Sequence, residues 1–268
     1  MPEKTGQTPG PRQFGRFNGL GCWSYCKRGV IRLMRWSLAT LGGTCVSSGL
    51  LLAVFVLAGR DVNMAAGLST ASFIAPGIVL FASAYSAFEG GAVLVLEDKI
   101  EGTISDVLMA PLSALEIVAG MVVPALLNAL AAAFLVFALS FFFTDYSLPA
   151  PGLALTFLVL NVLVFSLFGA LIGLWAEKWD HFGGAQAFFM LPLGFISGAF
   201  FSIDALPELG RILLQLNPLY HAVAGVRLGL TGHGTGEPLV SILVLSGLSA
   251  TLAVILWRLV VSGYKVRP

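Results

Sequence analysis

Charge is what this chain lacks. Only 11% of its 268 residues are Asp, Glu, Lys or Arg, against about 25% in soluble domains. Hydrophobic residues make up 57%, and a soluble fold of this length cannot hide that much apolar surface, because a large share of any folded surface faces water. This excludes a soluble globular protein and leaves an all-α membrane protein of several spans. The formal net charge is +1, so bulk charge points to no nucleic-acid or acidic partner. Cysteine is sparse: Cys22, Cys26 and Cys45 form no CxxC pair, and His181, His221 and His233 lie far apart, so no metal site is expected. The phosphate-loop pattern GxxxxGK[ST], a Gly-rich nucleotide fingerprint, an Arg-rich voltage sensor and a TVGYG filter are all missing. No Ser-His-Asp or Cys-His set can be placed on one side of a membrane. The chain therefore shows no energy source and no catalytic centre of its own. It is not expected to be an enzyme or to carry a cofactor.

What is present is a series of apolar runs. Six spans are expected, at 38–58, 71–95, 117–143, 152–175, 184–203 and 238–258, each close to the about 20 residues that cross a bilayer. Residues 1–20 are rich in Gly, Pro and polar residues and read as a disordered tail, leaving 21–268 as one transmembrane domain. The stretch WSYCKRGVIRLMRW, residues 23–36, interleaves aromatic, basic and aliphatic residues. That suits either a helix lying in the interface plane or the basic flank of the first span. With six spans, every Lys and Arg except Arg60, Arg211 and Arg227 falls on the side of the termini. Cytoplasmic loops carry the excess of Lys and Arg, so both termini are expected in the cytoplasm.

Two regions interrupt the apolar pattern. The first is LEDKIEGTISDVLMAPLSALE, residues 96–116, with Glu97, Asp98, Lys99, Glu101, Asp106 and Glu116 in a chain otherwise nearly uncharged. Thr103 and Asp106 have capping-box spacing, and Ser113 and Glu116 repeat it. Ile104, Val107 and Leu108 form a small apolar face at helical spacing. Gly102 loosens the approach, and Pro111 cannot continue the helix. The spacing predicts a short helix, a break and a new helix start. So short a helix is marginal alone in water and holds its shape best when docked on something.

The second region is SGAFFSIDALPELGRILLQLNPLYHAVAGVRLGLTGHG, residues 197–234. Leu206, Leu209, Leu213 and Leu216 mark an apolar stripe, Asp204 and Pro207 fit a helix start, and Asn217-Pro218 ends that helix. Tyr220 to Leu230 reads as a second short helix. Neither is long enough to span, so they form a re-entrant outer hairpin or lie on the surface. Arg227 within this pattern needs a carboxylate, a phosphate headgroup or helix C-terminal carbonyls, unless it snorkels to the interface. Glu89 is the only acid well inside an expected span. It faces a substrate path, or makes a structural hydrogen bond between helices. Glu177 and Asp180 lie in the second loop on the cytoplasmic side, either contacting a partner or solvated.

EDKIEGTISDVLMAPLSALEIVAG and SGAFFSIDALPELGRILLQLNPLYHAVAGVRLGLTG together resemble the ABC-2 type export permeases, single-domain transmembrane subunits of bacterial ABC transporters, over about residues 30–258. That resemblance implies a coupling helix over Glu97–Pro111 that sits in a cleft of a separate ATP-binding subunit, which holds ATP and Mg. It implies two such ATPases and a permease pair, expected as a homodimer, in the cytoplasmic membrane. Residues 23–36 would be an interfacial connecting helix and 204–230 the outer re-entrant pair. The expected cargo is hydrophobic, lipidic or a lipid-linked glycan. Two other readings compete. One is a stand-alone channel or secondary transporter, for which no internal repeat is visible. The other is a lipid-modifying enzyme using His221, Asp204 and Arg227, whose spacing matches no catalytic template.

Overall fold

The computed structural model describes residues 17–58, 68–144, 146–201, 207–234 and 236–264, and for residues 36–39 the backbone only. The fold is all-helical. In chain order the described residues form α1 (Gly19–Ala58), α2 (Thr70–Ile100), α3 (Ile104–Met109), α4 (Ala114–Ser140), α5 (Pro151–Trp175), α6 (Trp179–Phe195), α7 (Glu208–Gln215), α8 (Pro218–Thr231) and α9 (Pro238–Ser262). Among the described residues, five stretches are long and apolar enough to cross a membrane: Thr40–Ala58 within α1, α2, α4, α5 and α9.

α2 is the axis of the bundle. Its most apolar stretch is 78% buried, against 11% for α1 and 22% for α9, which turn most of their apolar surface outward. Burying α2 against α5 requires close backbone approach, and small residues supply it. The GxxxG of Gly169 and Gly173 on α5 lies against the backbone of Phe88 and Ala92 on α2, while Gly91 of α2 lies against Ser166 and Ala170 of α5. A Cβ on Gly173 would stand 2.5 Å from the Ala92 carbonyl oxygen, so a side chain there must push the helices apart. Lipid offers no hydrophobic drive to hold helices together, and such seams act through van der Waals contact instead. Polar pairs cross the same interior: Asn161 donates to the Ser83 hydroxyl at 3.1 Å and Asn128 to the Ser86 hydroxyl at 3.1 Å.

Three elements refine or depart from the expectation. Residues 23–36 are not a separate surface helix but the basic flank of the first span, helical throughout. They are the first half of one continuous 40-residue helix, beginning at Gly19. Their small faces are taken up by α4, with Tyr25 seated on Gly120 and Gly29 on Pro124. The expected span 184–203 is instead α6, 17 residues ending at Phe195, or about 25 Å at 1.5 Å per residue. The backbone then turns: Ser197 donates to the Gly194 carbonyl at 2.6 Å, and Gly198 sits at φ +68°. The apolar run continues past the point where the helix stops. In α7, Leu209, Leu213 and Leu216 point outward, and the buried residue is Leu214, at 0% exposure. The leucine stripe is real but turned away from the bundle. Asp204 and Leu206 lie outside the described residues, as do residues 1–16 of the expected tail.

Candidate functional site

The acidic segment folds as an elbow joining α2 to α4. Its carboxylates divide into two sets. Glu97, Asp98 and Glu116 are buried at 8%, 4% and 2% exposure, whereas Glu101 and Asp106 are exposed. The buried set is held by α1. Asp98 accepts from Arg28, from Arg32 at 2.7 Å and from the Thr103 hydroxyl at 2.9 Å. The Tyr25 hydroxyl reaches it at 3.5 Å. Arg32 also lies 3.4 Å from Glu97 and 2.7 Å from Glu101. Burial, with the Asp98 carboxylate beside it, holds the Tyr25 phenol far above its usual range, so it stays a donor.

The far side of the elbow is tied to the start of α1. The Asn18 amide donates to Glu116 at 2.5 Å, and the Asn18 side chain donates to the Pro111 carbonyl at 3.2 Å. Glu116 also accepts from the Ser113 amide at 2.6 Å, while Ser113 Oγ accepts from the Glu116 amide at 3.4 Å. This is the reciprocal capping box expected at the start of α4.

The Thr103–Asp106 box does not form. Thr103 makes no side-chain cap, because its hydroxyl is turned back to Asp98 and also accepts from Arg28 at 3.2 Å. A charged cluster outcompetes a helix cap for one hydroxyl. Lys99, the one lysine of this segment, reaches over to α5 and donates to the carbonyls of Leu174 at 2.6 Å and Ala176 at 2.5 Å, stabilising a helix C-terminus with positive charge.

The short helix α3 docks on its own bundle. Val107 is buried at 6% exposure, and Ile104 and Leu108 pack with it against Ile117, Met121, Leu174 and Val260. That leaves an outward face of Ile100, Glu101, Gly102, Asp106, Met109 and Pro111. Met109 is 77% exposed, and Gly102 turns at φ +74° with open space where a Cβ would stand. The elbow therefore presents a rim of two carboxylates and three apolar side chains on a base fixed at both ends. Glu177, in the α5–α6 connection next to the Ala176 carbonyl that Lys99 binds, and Asp180, in the first turn of α6, are exposed.

The remaining candidates lie elsewhere. Arg227 is buried at 4% exposure. It donates to the carbonyls of Phe73 at 3.1 Å and Gly198 at 2.9 Å, with its guanidinium 3.8 Å from the Phe73 ring centroid. It does not snorkel, and it joins α8 to the start of α2 and the turn after α6. Asn217 caps α8 and donates to Leu193 and Ile196 at 2.8 and 2.6 Å, closing the same turn. Pro218 occupies the first turn of α8, and Pro207 caps α7 on the surface. His221 donates through Nε2 to the Gln215 carbonyl at 2.9 Å, and its Nδ1 lies 3.0 Å from the Ser241 hydroxyl. Both ring nitrogens are thus engaged between helices. Glu89 lies half-buried in a cavity wall together with Ser86, Asn128, Trp179 and Phe182. Asn18, Tyr25, Arg28 and Arg32 were missed from sequence. The clustering of basic residues in the amphipathic stretch was the available signal.

A helical bundle with several membrane-length apolar helices and a charged, self-anchored elbow defines a multi-pass membrane protein. Comparison with known proteins agrees. A sequence model described as ABC-2 type transporter matches residues 21–231, and the chain belongs to that family. It is 28% identical over 239 residues to the inner membrane transport permease YadH of Escherichia coli (strain K12), covering 89% of this chain and 93% of that protein. It is also 28% identical over 172 residues to nodulation protein J of Sinorhizobium fredii (strain NBRC 101917 / NGR234), covering 63% of this chain and 65% of that one.

Proposed function

We propose that this chain is the permease subunit of an ATP-driven exporter in a bacterial cytoplasmic membrane, with both termini in the cytoplasm. Its cargo is hydrophobic, lipidic or a lipid-linked glycan. A separate ATP-binding subunit, in two copies, holds ATP and Mg and docks on the elbow, and a second copy of this chain completes the transporter. The observation that carries this reading is the division of the elbow. Its inner carboxylates are locked to α1 and its apolar side to the bundle, so a push on the outward rim moves α1, α2 and α4 together. A loose loop would absorb that push. In this reading α6 is the fifth of six spans, α7 and α8 form the outer re-entrant pair, and the first half of α1 is the connecting helix at the interface.

The test is co-purification of the ATPase from solubilised membranes with the wild type and with D106R/M109R, which changes only outward side chains. Loss of the ATPase and of ATP-dependent transport, with unchanged thermal stability of the permease, is the expected result. An ATPase retained at wild-type level by the variant would rule out docking here. Transport by the chain alone in liposomes would favour the stand-alone channel or secondary transporter.

A further inference from the structure

Three cavities run in sequence along α1, α2 and α6. The first, of about 250 Å³, is bounded by Glu89, Glu97, Trp179 and Phe182. The second, of about 530 Å³, shares Thr40 and Glu89 with the first and adds the hydroxyls of Thr44, Ser47, Ser48 and Tyr85. The third, of about 360 Å³, shares Leu51 and Phe81 with the second and is walled by Phe55, Phe195 and Phe200, with no polar side chain among its described lining residues. From Glu97 to Ile78 this groove follows α2 for about 29 Å at 1.5 Å per residue, close to the about 30 Å of a bilayer core. Its polarity falls steadily from a carboxylate end, through hydroxyls, to an aromatic end.

The two acids at the polar end are unequally partnered. Glu97 has Arg32, but no hydrogen bond or ion pair reaches Glu89 among the described residues, and no described residue lining the groove is basic. A carboxylate at this depth is costly unless something cationic meets it. Aromatic faces beside a carboxylate are a favourable setting for an ammonium group.

We infer that the groove binds a monocationic amphiphile, with its ammonium group at Glu89 beside Trp179 and Phe182 and its apolar tail among Phe81, Phe195 and Phe200. This rests on the exporter reading for direction of movement only. The shared chemistry is an ammonium head on an apolar tail, which an export substrate and a resident phosphatidylethanolamine both carry. The lipid's phosphate, however, would find no basic partner in the groove.

The experiment uses the purified full chain in phosphatidylglycerol nanodiscs and a dodecyltrimethylammonium probe with a diazirine in its tail, beside the matching dodecyl alcohol. Cross-links are mapped by mass spectrometry. Saturable labelling at Phe81, Phe195 or Phe200 is expected for the ammonium probe, at least tenfold stronger than for the alcohol. E89Q should weaken the ammonium probe about tenfold and leave the alcohol unchanged, while E89D should stay within about threefold of wild type. Equal labelling by the two probes in wild type overturns the proposal, and that comparison needs no variant to fold. Labelling abolished when the discs are made of phosphatidylethanolamine assigns the groove to a resident lipid and overturns it as well. No ATPase is present, so these outcomes are independent of whether the exporter reading holds.

Discussion

Asp98 is the point at which the elbow is most exposed to failure. It carries the contacts of Arg28, Arg32 and Thr103 on one buried carboxylate. Asp98→Ala would leave Arg28 without a carboxylate and Arg32 with only Glu97 and Glu101. Removing one partner of a fully buried ion pair costs about 3–5 kcal/mol. Here the Arg28 and Arg32 side chains retain 38% and 20% of their exposure, so water recovers part of that, and about 2–3 kcal/mol is expected. Asp98→Asn keeps an acceptor oxygen and loses the charge, so it should cost roughly half as much. The assay is reversible unfolding of the purified chain in mixed micelles, arranged as a double-mutant cycle with Arg32→Gln. A coupling free energy of about 1.5 kcal/mol is expected between the two sites, in the range found for groups in direct contact. Glu101→Gln is the internal comparison: its carboxylate is 53% exposed in the side chain, and its loss should cost about 0.5 kcal/mol or less. If Asp98→Ala costs no more than Glu101→Gln, or if Asp98→Asn and Arg32→Gln are additive, the buried cluster does not anchor the elbow. The mechanical argument for coupling through α1 would then fall with it.

Other substitutions test the rest of the frame. Gly169→Leu should abolish monodisperse protein in size-exclusion chromatography, because its Cβ would run into the Phe88 backbone; Gly247→Ala, with open space around it, should be neutral or stabilise α9 by up to about 1 kcal/mol. Arg227→Lys should lower thermal stability by about 2 kcal/mol, since an ammonium cannot reproduce a planar fork that reaches both Phe73 and Gly198. Ser113→Ala removes one half of a capping box and should cost about 1 kcal/mol in the same unfolding measurement.

What was legible in the sequence was local. The Ser113–Glu116 box, the Asn217-Pro218 boundary and the apolar face of Ile104, Val107 and Leu108 depend on residues within one or two helical turns, and each forms as its spacing predicts. What was not legible depended on partners far along the chain. Asp98 meets Arg28 and Arg32 across some seventy positions, and once that cluster exists it captures Thr103 and defeats a cap that local rules favour. The segment read as a surface helix or a flank became half of α1 because Gly29 and Gly120 let α4 approach it. Hydropathy also misjudged α6, since apolar composition continues through residues 196–201 while Gly198 and Ser197 bend the backbone out of the helix. The same bend exposes the carbonyl that Arg227 binds. A break that hydropathy cannot register and an arginine that hydropathy penalises are thus two halves of one arrangement: each would be costly alone, and together they satisfy buried backbone that lipid could not.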